Sequence, residues 1–270
     1  MSSDSESSVA SDWTPSSTEA EPLLRAAHDG DLYALRRAIT EGADLNVRSE
    51  RDGYTALHWL IVHGDLHGAD IKLACISALV EAGADVNMKS GPTSEDAPTR
   101  SSPIHEAVFR GDGSRELVSL LLRAGADVTI TNGPAGLTPL HTAAIFGRHD
   151  SIPLLIAAGA NVNAMFHRHH GEAIDLHEYE TPLESCLQRG FKNRHRVSAA
   201  LLRAGAKAPS YHFDGSRNPY VYKVTRAGGY AQYEKAHRTR LAAIFLPKFK
   251  RLPEEVVHHI VSIWADCGGH

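Results

Sequence analysis

Apolar residues in this chain come in short runs at helical spacing, each closed by the same small phrase. Leu117, Val118, Leu120, Leu121 and Leu122 form one such run, and it ends at Gly125-Ala126-Asp127. The phrase Gly-Ala-Asp/Asn stands also at Gly42, Gly83 and Gly159, and fades to Gly205-Ala206-Lys207. A second phrase precedes each one after the first: Thr55-Ala56-Leu57-His58, Ser102-Pro103-Ile104-His105, Thr138-Pro139-Leu140-His141 and Thr181-Pro182-Leu183-Glu184. This phrase predicts the start of a short helix, because proline in a first turn gives up only an N–H that has no partner there. Small residues follow (Ala26-Ala27, Ala107, Ala143-Ala144), then a glycine at 30, 64, 111, 147 or 190 that lets the chain turn. The second helix ends on the glycine of Gly-Ala-Asp, where a left-handed cap is cheapest, and an extended Asp-Val-Asn stretch leads onward. One helix–turn–helix unit is thus copied along the chain. Such arrays work by presenting a surface more often than by enclosing a reaction centre.

These paired phrases resemble the ankyrin repeat, with five units over residues 21–209. The resemblance implies an all-α solenoid of helix–turn–helix plus β-turn units, here followed by a helical C-terminal extension. The cap glycines at 42, 83, 125, 159 and 205 are separated by 41, 42, 34 and 46 residues, and one of these steps is near the family period. The extra residues fall around Asp65–Asp70, between the helices of the second unit, and in the turns Met88–Ser101 and Ala164–Tyr179. In an ankyrin stack such turns are fingers beside a concave face. The first unit opens on Glu21-Pro22-Leu23-Leu24 and reads as the N-terminal cap, whose outer face must suit water.

The resemblance also implies a binding groove. Carried over residue by residue, it includes Arg25, His28 and Asp29; Tyr54, Trp59, Val62 and His63; Glu106, Phe109 and Arg110; Thr142, Ile145 and Phe146; then Ser185, Gln188 and Arg189. Exposed aromatics beside arginine are typical of protein-binding hot spots. A second reading of Trp59 and Phe109 is that they pack into neighbouring repeats.

Composition narrows the function classes. The 270 residues carry 42% hydrophobic and 22% charged side chains and a net charge of -4, which gives no ground for a whole-chain nucleic-acid or membrane binder. Three cysteines, Cys75, Cys186 and Cys267, form neither a disulfide framework nor a zinc spacing. No apolar run approaches the ~20 residues needed to span a bilayer, and the N-terminus has no signal character. The expectation is a soluble protein, cytoplasmic or nuclear. Residues 1–20 are serine-rich and acidic and are expected to be disordered.

Residues 210–270 change in character. Lysines and arginines interleave with Tyr211, Tyr220, Tyr222, Tyr230 and Tyr233, and helices are expected from about Tyr230 to Phe245 and from Pro253 to Cys267. This extension has three readings: a cap on the last repeat, a surface for an acidic partner or RNA, or a docking module for ubiquitin-ligase subunits. The third rests on Leu252-Pro253-Glu254-Glu255-Val256-Val257, which resembles the opening of an F-box, and on a likeness to ankyrin–SOCS-box adaptors.

Little in the chain points to catalysis. No phosphate-cradling glycine loop, HExxH pair or Gly-x-Ser-x-Gly elbow is present, and no cofactor is expected. His58, His105 and His141 are structural in the ankyrin resemblance, hydrogen-bonding across neighbouring turns. His167-Arg168-His169-His170, with His177 and Glu178, is the best metal candidate, but it has no helical scaffold and reads rather as a solvated, pH-responsive finger. The function expected is non-catalytic binding of a protein partner, as an adaptor or scaffold.

Overall fold

The computed structural model describes residues 22–50, 52–91, 100–110, 114–133, 136–167, 179–188, 194–207 and 219–245, with 253, 255–257 and 259. The N-terminal tail, the Arg168–Glu178 part of the histidine cluster and most of the expected 253–267 helix lie outside these residues. The architecture is all-α. Five helix pairs succeed one another among the described residues: α1 (Pro22–Asp29) with α2 (Leu32–Thr40), α3 (Ala56–His63) with α4 (Ala69–Glu81), α5 (Pro103–Arg110) with α6 (Ser114–Arg123), α7 (Pro139–Ile145) with α8 (Ser151–Ala157), and α9 (Pro182–Gln188) with α10 (Arg194–Arg203). A further pair, α11 (Pro219–Arg226) and α12 (Tyr230–Phe245), follows. The α12 bounds match the sequence expectation. Helix α11 goes beyond it, because Val221 and Val224 make too short a stripe to announce a helix.

The chain packs as two compact units, Met1–Ala126 and Asp127–His270. In the first, α3 packs against α1 on one side and α5 on the other. Leu57, Leu60, Ile61, Ile76, Leu79 and Ile104 are wholly buried there, and each such side chain contributes about 1.5–3 kcal/mol of transfer free energy. In the second unit α7 packs on α9, α9 on α10, and α10 on α11 and α12, around Leu140, Ile152, Leu155 and Leu201.

Each residue of the closing phrase has a separate task. The glycine is left-handed at all five positions, with φ between 86° at Gly42 and 94° at Gly83, and a Cβ there would meet nothing within 4 Å. Backbone conformation alone therefore demands glycine. The next alanine closes the cap: Ala43 N–H donates to Ala38 O (3.0 Å), Ala84 to Leu79 O (3.0 Å) and Ala126 to Leu121 O (3.0 Å), a Schellman pattern that satisfies orphan helix carbonyls. The Asp or Asn that follows accepts from the backbone two residues on, as Asp44 Oδ1 does from Asn46 N–H (2.9 Å) and Asn161 Oδ1 from Asn163 N–H (3.0 Å). This makes an Asx turn. The expected extended Asp-Val-Asn stretch is therefore a turn.

The last Asn of the phrase joins one repeat to the next. Asp85 N–H donates to Asn46 Oδ1 (2.8 Å), and Asn87 Nδ2 donates to Gly125 O (3.1 Å). In the second unit Lys207 N–H donates to Asn163 Oδ1 (2.8 Å) and Asn163 Nδ2 to Gly205 O (3.3 Å). Thr129 occupies the same place in the third repeat, and its hydroxyl turns back to Asp127 Oδ1 (2.7 Å).

The stretched second repeat departs from the expected glycine turn. Gly64 is helical (φ -60°) and opens a 3-10 turn, Gly64–His67. The left-handed residue is Gly68, with φ 90°. Winding the inserted residues into a 3-10 turn moves the reversal from Gly64 to Gly68. Gly30 and Gly147 do make the expected turn, and both are left-handed, at φ 64° and 71°; Gly111 and Gly190 lie outside the described residues.

Candidate functional site

The Thr-Pro-Leu-His phrases build the frame on which any surface is held. Thr138 caps α7: its hydroxyl accepts from His141 N–H (3.4 Å) and donates to His141 Nδ1 (2.8 Å). His58 repeats this with Thr55, whose hydroxyl donates to Nδ1 at 2.9 Å. With Nδ1 accepting, the opposite nitrogen carries the proton. His58 Nε2 donates to Ser101 O (3.1 Å), and His141 Nε2 to Ala164 O (3.1 Å) and Glu180 O (3.3 Å). Burial pushes both imidazoles down to about 4, against the hydrogen-bonded carbonyls that favour the charged form. His105 Nδ1 lies 2.8 Å from Ser102 Oγ in the same arrangement. These histidines are frame, as the resemblance implied.

Both stretched fingers are thereby clamped at the base. Ser90 N–H donates to Ser101 O (2.8 Å) and Ser101 N–H to Ser90 Oγ (3.1 Å), directly beside His58. In the second unit β1 (Phe166–His167) pairs antiparallel with β2 (Tyr179–Glu180), with Phe166 opposite Glu180 and edge-on to the His141 ring. Glu184 replaces the histidine in the fifth repeat. Its carboxylate accepts from Thr181 N–H (2.8 Å) and the Thr181 hydroxyl (2.9 Å). A carboxylate completes this cap but has no proton with which to hold a following carbonyl.

In the first unit the ends of α1, α3 and α5 bring several expected groove residues together. Trp59 is half-buried, its ring 4.6 Å from His28 on one side and 4.6 Å from His63 on the other. Tyr54 stacks on His58 at 5.7 Å. Burial lowers the His63 pKa, with the Arg110 charge adding to the effect. Burial raises that of Tyr54, with Glu106 and Asp52 reinforcing it. Arg110 and Glu106 on α5 thus lie within electrostatic reach of α3 and its approach. Phe109 is 42% exposed beside Arg110, itself exposed; Arg25 and Asp29 are exposed on α1. Trp59 packs on His28 of the first repeat while part of its surface stays in solvent.

In the second unit Phe146 is 43% exposed and Gln188 is exposed, whereas Ile145 keeps only 8% of its surface. Val62, Thr142 and Ser185 are also buried. With so little surface in solvent they offer a partner little. Arg189 lies outside the described residues. Other large exposed side chains, Tyr33 (81%) on α2 and Leu66 in the 3-10 turn, are not among the expected groove residues. They sit where the repeat resemblance implies no groove, and nothing in their spacing marks them.

Among the described residues no group of three or more His, Cys, Asp or Glu side chains is placed to hold a metal. The Cys186 thiol is buried and pushed up to about 12, and Cys75 is buried too, so neither is a ready nucleophile. No helix among the described residues is long and apolar enough to cross a membrane.

Comparison with known families agrees with this geometry. A model described as ankyrin repeats (3 copies) matches residues 71–166 and 104–208, and one described as ankyrin repeats (many copies) matches 23–71. The chain belongs to the ankyrin-repeat family. Ankyrin repeats are in general protein-interaction modules. A 73-residue stretch of this ankyrin-repeat chain is 34% identical to Palmitoyltransferase AKR1 of Yarrowia lipolytica. That stretch is 27% of this chain and 9% of the relative, so the chain spans a small part of the protein it matches.

Proposed function

We propose that this ankyrin-repeat protein is a non-catalytic adaptor that captures a protein partner through the surface formed by the ends of α1, α3 and α5. The observation that carries this reading is the half-buried Trp59 ring held between His28 and His63, with the Arg110 charge acting on His63 and Phe109, the residue before Arg110, 42% exposed. An apolar ring kept partly in water, with a guanidinium adjacent, matches the composition of binding hot spots. The first-unit frame beneath it is tied by the Thr55–His58 cap, the His58–Ser101 hydrogen bond and the Ser90–Ser101 closure at the finger base. Buried Ile145 is left out. The transferase activity in the relative's name gives no ground for catalysis here, because the match covers 9% of that protein.

The test is affinity capture with mass spectrometry on the full chain and on its Phe109→Ser/Arg110→Glu variant. Both residues are exposed, so the variant should keep its helical circular dichroism while losing the partners retained by wild type. Capture of the same partners in the same amounts by the variant would remove this surface from the account.

A further inference from the structure

Among the described residues of the second unit, helices α10, α11 and α12 carry a positive charge that the chain as a whole does not share. α10, α11 and α12 hold eight Lys and Arg against one acid, Glu234, in a chain of net charge -4. That acid is already held by Arg238, Nη2 to Oε1 at 2.7 Å. Lys223, Arg226, Lys235 and Arg240 are all exposed. Lys223 and Arg226 sit in the last turn of α11, where the carbonyl end of the helix favours cations. Lys235 and Arg240 lie within α12 and have no such explanation.

Three tyrosines of the hairpin are engaged within the fold instead. Tyr220 meets Tyr233 edge-on at 5.5 Å, Tyr233 stacks on His237 at 5.6 Å, and the Tyr230 hydroxyl accepts from Arg203 Nε at 2.8 Å. Val221, Val224, Leu241 and Ala242 are buried beneath. The result is a fastened platform with its cations outward. Single-stranded nucleic acid is gripped by cations together with aromatic faces on which bases stack. Here three of the tyrosines are already used in holding the hairpin. What accompanies the cations in solvent is apolar: Tyr222 at 43% and Ile244 at 47% exposure. Cations mixed with exposed apolar side chains complement an acidic segment that carries apolar residues of its own.

We infer that the exposed surface of the α11–α12 hairpin docks an acidic, partly apolar peptide segment of a partner protein. This is a second interaction surface, independent of the one at α1, α3 and α5.

Fluorescence anisotropy on the full chain tests it. The probes are a labelled peptide of alternating Glu/Asp and Leu/Phe residues, and a single-stranded RNA of equal charge. The expected result is saturable peptide binding at about 0.15 M salt, weaker RNA binding, and an affinity about tenfold lower for Lys235→Glu/Arg240→Glu. Lys223→Glu/Arg226→Glu should lose affinity as well, and circular dichroism should show both variants folded. No peptide binding by wild type, or equal binding by folded charge-reversal variants, overturns the inference. Tighter binding of RNA than of peptide also overturns it and makes the surface a polynucleotide site.

Discussion

His67 Nε2 donates to the backbone carbonyl of His28 at 2.8 Å, and its ring lies directly over Gly30. The inserted 3-10 turn of the second repeat thus reaches back onto the helix–helix turn of the first. A Cβ at Gly30 would overlap that ring, and Gly30 is left-handed as well, at φ 64°.

Two glycine replacements separate these effects. Gly42→Ala meets only the left-handed backbone, since nothing lies within 4 Å of the added methyl, and should cost about 1 kcal/mol in denaturant unfolding. Gly30→Ala should cost about 2–3 kcal/mol, because it also displaces His67. In a His67→Ala background the Gly30→Ala cost should fall to that of Gly42→Ala. Full additivity of the two changes would show that the ring does not press on this turn.

Stability should fall with acid in a defined window. His58 and His141 have folded pKa values of about 4, below the ordinary 6.5. The unfolded chain therefore takes up protons first. Stability is whole above pH 6.5, declines as pH falls, and levels off below about pH 4. Each histidine contributes on the order of 3 kcal/mol to that loss. Denaturant midpoints measured from neutral pH down through this window should show the slope, and His58→Gln with His141→Gln should flatten it. An equally steep fall in the double variant would place its origin elsewhere.

The repeat junctions depend on single amides. Asn87→Ala removes the donor to Gly125 O and should cost about 1–2 kcal/mol. Hydrogen exchange should rise near Gly125 and Asp127 while α3 stays protected. Unchanged exchange at those sites would mean that water replaces the amide at no cost.

The frame was legible in the sequence because each recurring residue meets one local demand: left-handed φ at Gly42, a first-turn proline at Pro139, a capping histidine at His141. Local demands repeat, and repetition exposes them. The site was legible only in part. Trp59 lies between His28 and His63 with Arg110 in electrostatic reach, yet Ile145 is buried although it holds the same place in its repeat as the exposed Phe109 does. Exposure at that position depends on side-chain size and on the neighbouring helix, which no local phrase encodes. The same limit applies to Gly64, which looks like its counterparts but is helical, because the insertion after it moved the turn to Gly68.

The adaptor reading is tested most directly by photo-cross-linking. A benzophenone amino acid is placed at position 109 in one preparation and at Tyr33 on α2 in another, both exposed positions. A covalent partner adduct is expected from position 109 and none from position 33. An adduct from position 33 alone, or equal yields from both, would contradict a partner bound across the ends of α1, α3 and α5.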